Sequence, residues 1–172
     1  MSETHPSSDI PSSASFHPLW KKRWAQNVLM LMLGAIGVYG LVYWDVVNRA
    51  RESFQEAEKY MEWYRQPEKK KDFFESTFQK DKANLDQLLQ KNKITQDDYR
   101  KRLDVLEFDK NFALQESSLK YAYEWYKDTY ELFSPPESTW VRRAREEAPK
   151  TLELWKQELR RQNVPFVDTM FQ

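Results

Sequence analysis

The longest apolar run in the chain covers residues 28–44, VLMLMLGAIGVYGLVYW, and contains no charged side chain. The uncharged stretch begins earlier, at Trp24. A helix rises about 1.5 Å per residue, so the stretch from Trp24 to Trp44 would span about 31 Å, close to the hydrocarbon thickness of a bilayer. The pattern predicts one transmembrane helix, which we place at residues 21–44 together with its N-terminal flank.

Aromatic rings mark both ends of this run. Trp24 lies at one end, and Tyr43 and Trp44 lie at the other, where Trp and Tyr favour the membrane–water interface. A cleaved signal peptide and a buried helix of a soluble core are the alternative interpretations. A signal peptide requires small residues at a cleavage site after the run, and residues 43–48, YWDVVN, provide none. We therefore expect a membrane anchor.

The distribution of charge around the run predicts its orientation. The residues just before it are basic: Lys21, Lys22 and Arg23. The other end begins with Asp45, so the positive-inside rule places the N-terminus inside and the C-terminal domain outside. We expect a mitochondrial or bacterial inner membrane. Residues 1–20 contain no Lys or Arg and are predicted to form a flexible tail.

All three glycines of the protein lie inside the run, at Gly34, Gly37 and Gly40. Glycine lowers helix stability, but in a membrane it allows a second helix to approach closely. The glycines therefore indicate either a tolerated flexible span or a packing face for another transmembrane helix, and we favour the packing face. Their spacing of three differs from that of the GxxxG dimer motif, so no specific homodimer is predicted.

Apolar positions continue beyond the run with alternating spacings of four and three. This seam has a period of 3.5 and consists of Ile36, Gly40, Tyr43, Val47, Ala50, Phe54, Ala57, Met61 and Tyr64. It predicts a helical stalk over residues 45–66, which Pro67 ends. The seam could pack within the chain, against a partner or against a second copy. We favour the first two, because three heptads with two alanines form a weak self-associating coil.

Helical spacing of apolar residues resumes after the stalk. Thr95, followed by Asp98 three positions later, is typical of a helix start. We predict a helical hairpin over residues 67–134, whose second helix is continuous from Thr95 and is long enough to cover its hairpin partner and part of the stalk. Phe112 is among the apolar residues of this second helix, with Leu103 and Leu106.

A C-terminal helix is predicted over residues 135–163, with a kink at Pro149, and an extended docking tail over residues 164–172. The apolar tail either folds back on the domain or docks on a neighbour. No strand-like alternation bounded by turns occurs anywhere in the sequence. The predicted fold is therefore all-α, with a transmembrane helix that continues into the stalk and a small helical bundle behind it.

Residues 121–133, YAYEWYKDTYELF, contain six aromatic side chains. At about 100° per residue, Tyr123, Tyr126, Tyr130 and Phe133 share one wide face, whereas Tyr121 and Trp125 lie on another. The first face suits a core. The second is either an outer wall of the bundle or a partner interface, and we favour the interface. The predicted interface is completed by apolar residues of the tail: Phe166, Val167, Met170 and Phe171.

Composition argues against catalysis. Both histidines, His5 and His17, lie in the N-terminal tail, there is no cysteine, and no glycine follows Gly40 to form a phosphate-binding loop. The 27 basic and 27 acidic residues cancel, which leaves no basic footprint for nucleic acid. We expect no metal, no cofactor other than bound lipid, and no small-molecule substrate.

These observations favour a non-catalytic accessory subunit of a multi-subunit membrane complex, such as a respiratory or related energy-transducing complex. Its partners would be other membrane-protein subunits and the lipid bilayer. The alternative is a membrane scaffold or assembly factor that self-associates as a coiled coil through the stalk seam.

Overall fold

The computed structural model describes residues 23–171. The predicted N-terminal tail (residues 1–20), Lys21, Lys22 and Gln172 lie outside this range. In this range the chain is all-α, as predicted, and contains no strand. The helices are α1 (Arg23–Arg65), α2 (Pro67–Gln90), α3 (Gln96–Gln115), α4 (Ser118–Leu132) and α5 (Thr139–Arg161), followed by a 3₁₀ turn (Asp168–Phe171).

Helix α1 contains both the apolar run and the stalk. Its N-terminal part is long and apolar enough to cross a membrane, and none of that apolar window is buried by the rest of the described chain. The chain divides into two compact units after Val42. Helix α1 is therefore a candidate membrane-spanning helix whose second half, from Tyr43, belongs to the following unit.

The second unit is built around a bundle of α1 from Tyr43 onward, α4 and α5. Its core combines aromatic rings with small side chains: Ala50, Phe54, Ala57, Met61, Leu119, Ala122, Tyr123, Tyr126, Val141, Ala144 and Ala148. The ring of Phe54 lies 5.4 Å from that of Tyr126 and 5.6 Å from that of Trp140. The predicted seam is confirmed over residues 50–61, where it packs within the chain.

Alanines allow the three helices to approach one another. Ala57 on α1, Ala122 on α4, and Ala144 and Ala148 on α5 all belong to the same buried cluster. A methyl side chain permits close helix packing without the conformational cost of glycine. The bundle therefore reaches a tight core in a segment of the sequence that contains no glycine.

Local signals set the helix boundaries. Pro67 occupies the first turn of α2, where its missing N–H costs no helical hydrogen bond. The predicted start at Thr95 is confirmed, because its hydroxyl accepts a hydrogen bond from the backbone N–H of Asp98 at 3.1 Å. Helix α5 continues through Pro149.

The prediction of one continuous helix from Thr95 to residue 133 is wrong. The chain is extended at Glu116 (φ −62°, ψ 142°), and α4 restarts with Ser117, whose hydroxyl accepts from the N–H of Lys120 at 3.3 Å. The hairpin therefore consists of α2 and α3 alone, and α4 belongs to the bundle.

Lys70 fixes this junction. Its ammonium group donates to the carbonyls of Leu114 at 3.3 Å and Glu116 at 2.6 Å, which are orphan acceptors at the end of α3. Burial lowers the pKa of Lys70, while the carboxylates of Glu116 and Glu158 oppose that shift. A buried lysine thus holds the start of α2 against the break between α3 and α4.

Asparagine replaces glycine at two helix ends. Asn92 (φ 52°) follows α2 and Asn163 (φ 56°) follows α5. At Asn92 the backbone forms both bonds of a Schellman motif, from Lys93 N–H to Leu88 O and from Asn92 N–H to Leu89 O, each at 2.9 Å. Asn is the residue other than Gly that most readily adopts this left-handed conformation.

This motif gives a test of the hairpin. We expect Asn92→Ala to lower the free energy of unfolding by about 1 kcal/mol, because alanine is strained at positive φ. The same change at Asn111, inside α3, should raise it by a few tenths of a kcal/mol, because alanine is the better helix former there. Denaturant unfolding in detergent measures both. Equal effects at the two positions would contradict the role of Asn92.

Candidate interaction surfaces

The glycine face of the candidate span is open. A Cβ atom built on Gly34, Gly37 or Gly40 would meet no atom within 4 Å. The predicted interface anchors Trp24, Tyr43 and Trp44 are all exposed. Nothing in the described chain therefore covers the face that the glycines predict for packing.

The second aromatic face of α4 is largely engaged within the chain. The ring of Tyr121 stacks on Tyr60, with centroids 5.2 Å apart and planes inclined by 26°. Half-buried Trp125 packs against the core and, with Ser53 and Phe133, lines a surface cavity of about 450 Å³. These contacts account for the burial of both side chains as an outer wall of the bundle, and their role in partner binding stays a prediction.

The C-terminal segment folds back onto the bundle, which is one of the two outcomes expected for it. The hydroxyl of Tyr123 donates to the carbonyl of Phe171 at 2.8 Å, and the Phe171 ring lies 5.0 Å from that of Trp155. Lys156 pairs with Asp168 at 2.8 Å. Their hydrogen bond raises the pKa of Lys156 and lowers that of Asp168. Aromatic packing and this ion pair together hold the segment against α4 and α5.

Only part of the predicted tail interface faces outward. Phe166 packs on Phe171, with ring centroids 5.6 Å apart. Val167 and Met170 are 60% and 68% exposed. The segment thus exposes these two apolar side chains, while its phenylalanines pack within the chain.

An apolar stripe on α3 was missed by the sequence analysis. Val105, Phe108 and Phe112 are 56%, 67% and 51% exposed, and the last two rings stack with centroids 6.1 Å apart. Phe112 therefore does not pack inside the hairpin; the half-buried leucines of α3 are Leu103 and Leu106, and Leu106 lines a groove together with Leu85 of α2. The spacing of 105, 108 and 112 is itself a helical stripe, and could have been detected as a second apolar face.

A groove runs along the hairpin beside this stripe. One part of it, about 390 Å³, has Leu85, Val105 and Leu106 in its lining, and an adjoining part, about 280 Å³, has Phe74 and Phe78. Leu106 lines both parts, as does Asp81. The α2–α3 hairpin thus carries an apolar groove with charged side chains at its edges.

Several ionisable groups that could suggest chemistry have structural partners. Burial, and then the hydrogen bond to Glu58, raise the pKa of Tyr126, so this side chain remains a neutral donor. The carboxylate pair Asp97 and Asp98 is engaged with Lys101 and Thr95 at the surface. Within residues 23–171, no three side chains of His, Asp or Glu are grouped to hold a metal ion.

Comparison with known proteins adds no relative. No protein-family model, no curated protein sequence and no solved structure matches the chain. The function is therefore inferred from the surfaces of the chain itself.

The contact between Tyr123 and Phe171 can be tested directly. Tyr123→Phe keeps the ring but removes the hydroxyl donor, which we expect to weaken the attachment of residues 164–171 by about 1 kcal/mol. Hydrogen–deuterium exchange of that peptide should rise about fivefold. Tyr130→Phe, on the same helix, removes a hydroxyl with no hydrogen-bond partner in the described chain and should leave the exchange unchanged. Unchanged exchange in Tyr123→Phe would show that this hydrogen bond does not hold the segment in place.

Proposed function

We propose that the chain is a single-pass membrane protein that acts as a non-catalytic accessory or structural subunit of a multi-subunit membrane complex. In this proposal α1 crosses the bilayer with the N-terminus inside and the C-terminal domain outside. The proposed setting is an energy-transducing complex of a mitochondrial or bacterial inner membrane. The partners are other membrane-protein subunits and the surrounding lipid.

The open glycine face is the observation that carries this proposal. A lone span gains nothing from three glycines, since each lowers helix stability relative to alanine. In a membrane, small residues are favoured where a second helix packs closely. Among residues 23–171, the Cβ positions of these glycines face empty space, which leaves room for a transmembrane helix of another subunit.

The groove of the α2–α3 hairpin supports the same proposal. Only Leu85 and Lys70 are buried on α2, and α3 buries no residue, so this pair of helices lacks the core of a complete bundle. An amphipathic helix of another subunit would complete a three-helix arrangement by covering the groove and the stripe of Val105, Phe108 and Phe112. Exposed apolar surface of this kind typically marks an interaction site.

The alternative, self-association through the stalk seam, receives less support. Ala50, Phe54, Ala57 and Met61 are buried against α4 and α5, so this part of the seam is not available to a second copy. A heterologous partner that uses other surfaces is more consistent with the bundle.

Gly37→Leu tests the glycine face. The substitution should not disturb the isolated chain, because its Cβ meets no atom within 4 Å and leucine favours helix. We expect it to reduce stoichiometric comigration with membrane partners on native gels about tenfold, or ~1.4 kcal/mol. Ala35→Leu, on the opposite side of α1, is the matched control. If Gly37→Leu and Ala35→Leu comigrate with membrane partners to the same extent, the glycines have no role in packing.

Phe108→Asp tests the hairpin surface. Burying a phenylalanine at an interface is worth about 1.5–3 kcal/mol, so the variant should lose partner binding at least tenfold. Ala83→Asp places the same charge on an exposed position of α2 and should bind normally. Co-purification from mild detergent, with mass spectrometry of the comigrating chains, measures both.

Two results would contradict the proposed subunit. Release of the protein from membranes by alkaline carbonate would exclude the membrane anchor. Migration as a small homo-oligomer without stoichiometric partners would instead support the scaffold.

A further inference from the structure

Basic side chains occupy the start of α5, where the helix dipole makes positive charge unfavourable. Arg142, Arg143 and Arg145 lie in its first two turns, and its first turn contains no acidic residue. The N-terminal end of a helix carries partial positive charge, so cations there are unfavourable. Arg145 pairs with Glu137, but helix stability explains neither of the other two.

Two arginines meet at the ring of Trp140. The guanidinium carbon of Arg143 lies 4.7 Å from the centroid of Phe54 and 5.8 Å from that of Trp140, and that of Arg51 lies 5.9 Å from Trp140. A cation–π contact positions a charge without neutralising it. Among residues 23–171, Arg51, Arg142 and Arg143 form no ion pair within 4 Å.

The arginine cluster is defined as Arg51 and Arg143, which meet at Trp140, together with Arg142, the exposed neighbour of Arg143 in α5. Because Trp140 packs on Phe54 of α1, the cluster lies toward the end of the bundle that begins with Trp44. Arg51 follows Trp44 by seven residues of α1, a rise of about 10 Å. The headgroup layer is about 5–8 Å thick on each side of a bilayer, and a long arginine stem can carry its charged group toward that layer.

We infer that the arginine cluster binds the phosphate of an anionic phospholipid headgroup. The inference rests on the proposed membrane anchor, which brings lipid to this end of the bundle. The planar guanidinium fork matches two oxygens of a phosphate, and Trp140 holds two such forks in place. A zwitterionic headgroup carries its own cation beside the phosphate, so a cluster of three positive charges favours the anionic lipid.

Lipid retention measured by native mass spectrometry tests the site. The full chain is held in micelles that contain equal amounts of phosphatidylglycerol and phosphatidylcholine. We expect preferential retention of phosphatidylglycerol, which falls about fivefold in Arg143→Gln and more than tenfold in the triple variant Arg51→Gln, Arg142→Gln, Arg143→Gln. The triple lysine variant keeps the charge and should retain part of the preference.

A matched control distinguishes loss of this site from a general loss of positive charge. Changing Lys80, Lys91 and Lys93 of the hairpin to glutamine removes the same number of exposed positive charges elsewhere and should leave the preference intact. Equal loss in both triple variants, or equal retention of the two lipids by the native chain, would overturn the inference. Displacement of the lipid by millimolar inorganic phosphate would assign the site to free phosphate instead.

These outcomes are distinct from failure of the anchor. Carbonate extraction reports whether the chain is integral to the membrane and does not depend on headgroup charge. A protein that resists carbonate but shows no lipid preference would refute only the arginine cluster as a lipid site.

Discussion

Phe54 is the side chain on which the bundle depends, because its ring contacts an aromatic ring on each of the other two helices. The contact with Tyr126 brings α4 against α1, and the contact with Trp140 brings the start of α5 to the same point. The alanines around it then set how closely the helix backbones approach. The hydroxyl of Tyr126 also donates a hydrogen bond to Glu58, so the polar atom of this buried ring has a partner.

Sequence reasoning found the features that depend on local spacing. The seam through Ala50 and Phe54, the helix start at Thr95 and the helix end before Pro67 all follow from periodicity or capping chemistry, and the structure confirms them. The break at Glu116 was missed because Ser117 resembles many serines inside helices, and only its contact with Lys120 and the tertiary contact of Lys70 make it a boundary.

The candidate surfaces were harder to predict for the same reason. Phe112 has the residue type and spacing of a core position, and only the rotation of α3 against α2 turns it outward. Tyr121 has the type expected of an interface anchor, yet a ring on a different helix, Tyr60, stacks on it. The identity of an aromatic residue therefore indicated that it would be buried or would bind, while the choice between the two depended on contacts distant in sequence.

The absence of glycine after Gly40 also lowers the conformational entropy of the unfolded chain. Glycine gives an unfolded chain more conformations than any other residue, and replacing one with alanine at a compatible site stabilises a protein by about 0.4–1 kcal/mol through the unfolded state. A chain that uses asparagine at its left-handed positions and alanine at its close contacts has fewer unfolded conformations to lose. The domain can therefore remain folded with a small core, and leave the apolar surface of its hairpin uncovered.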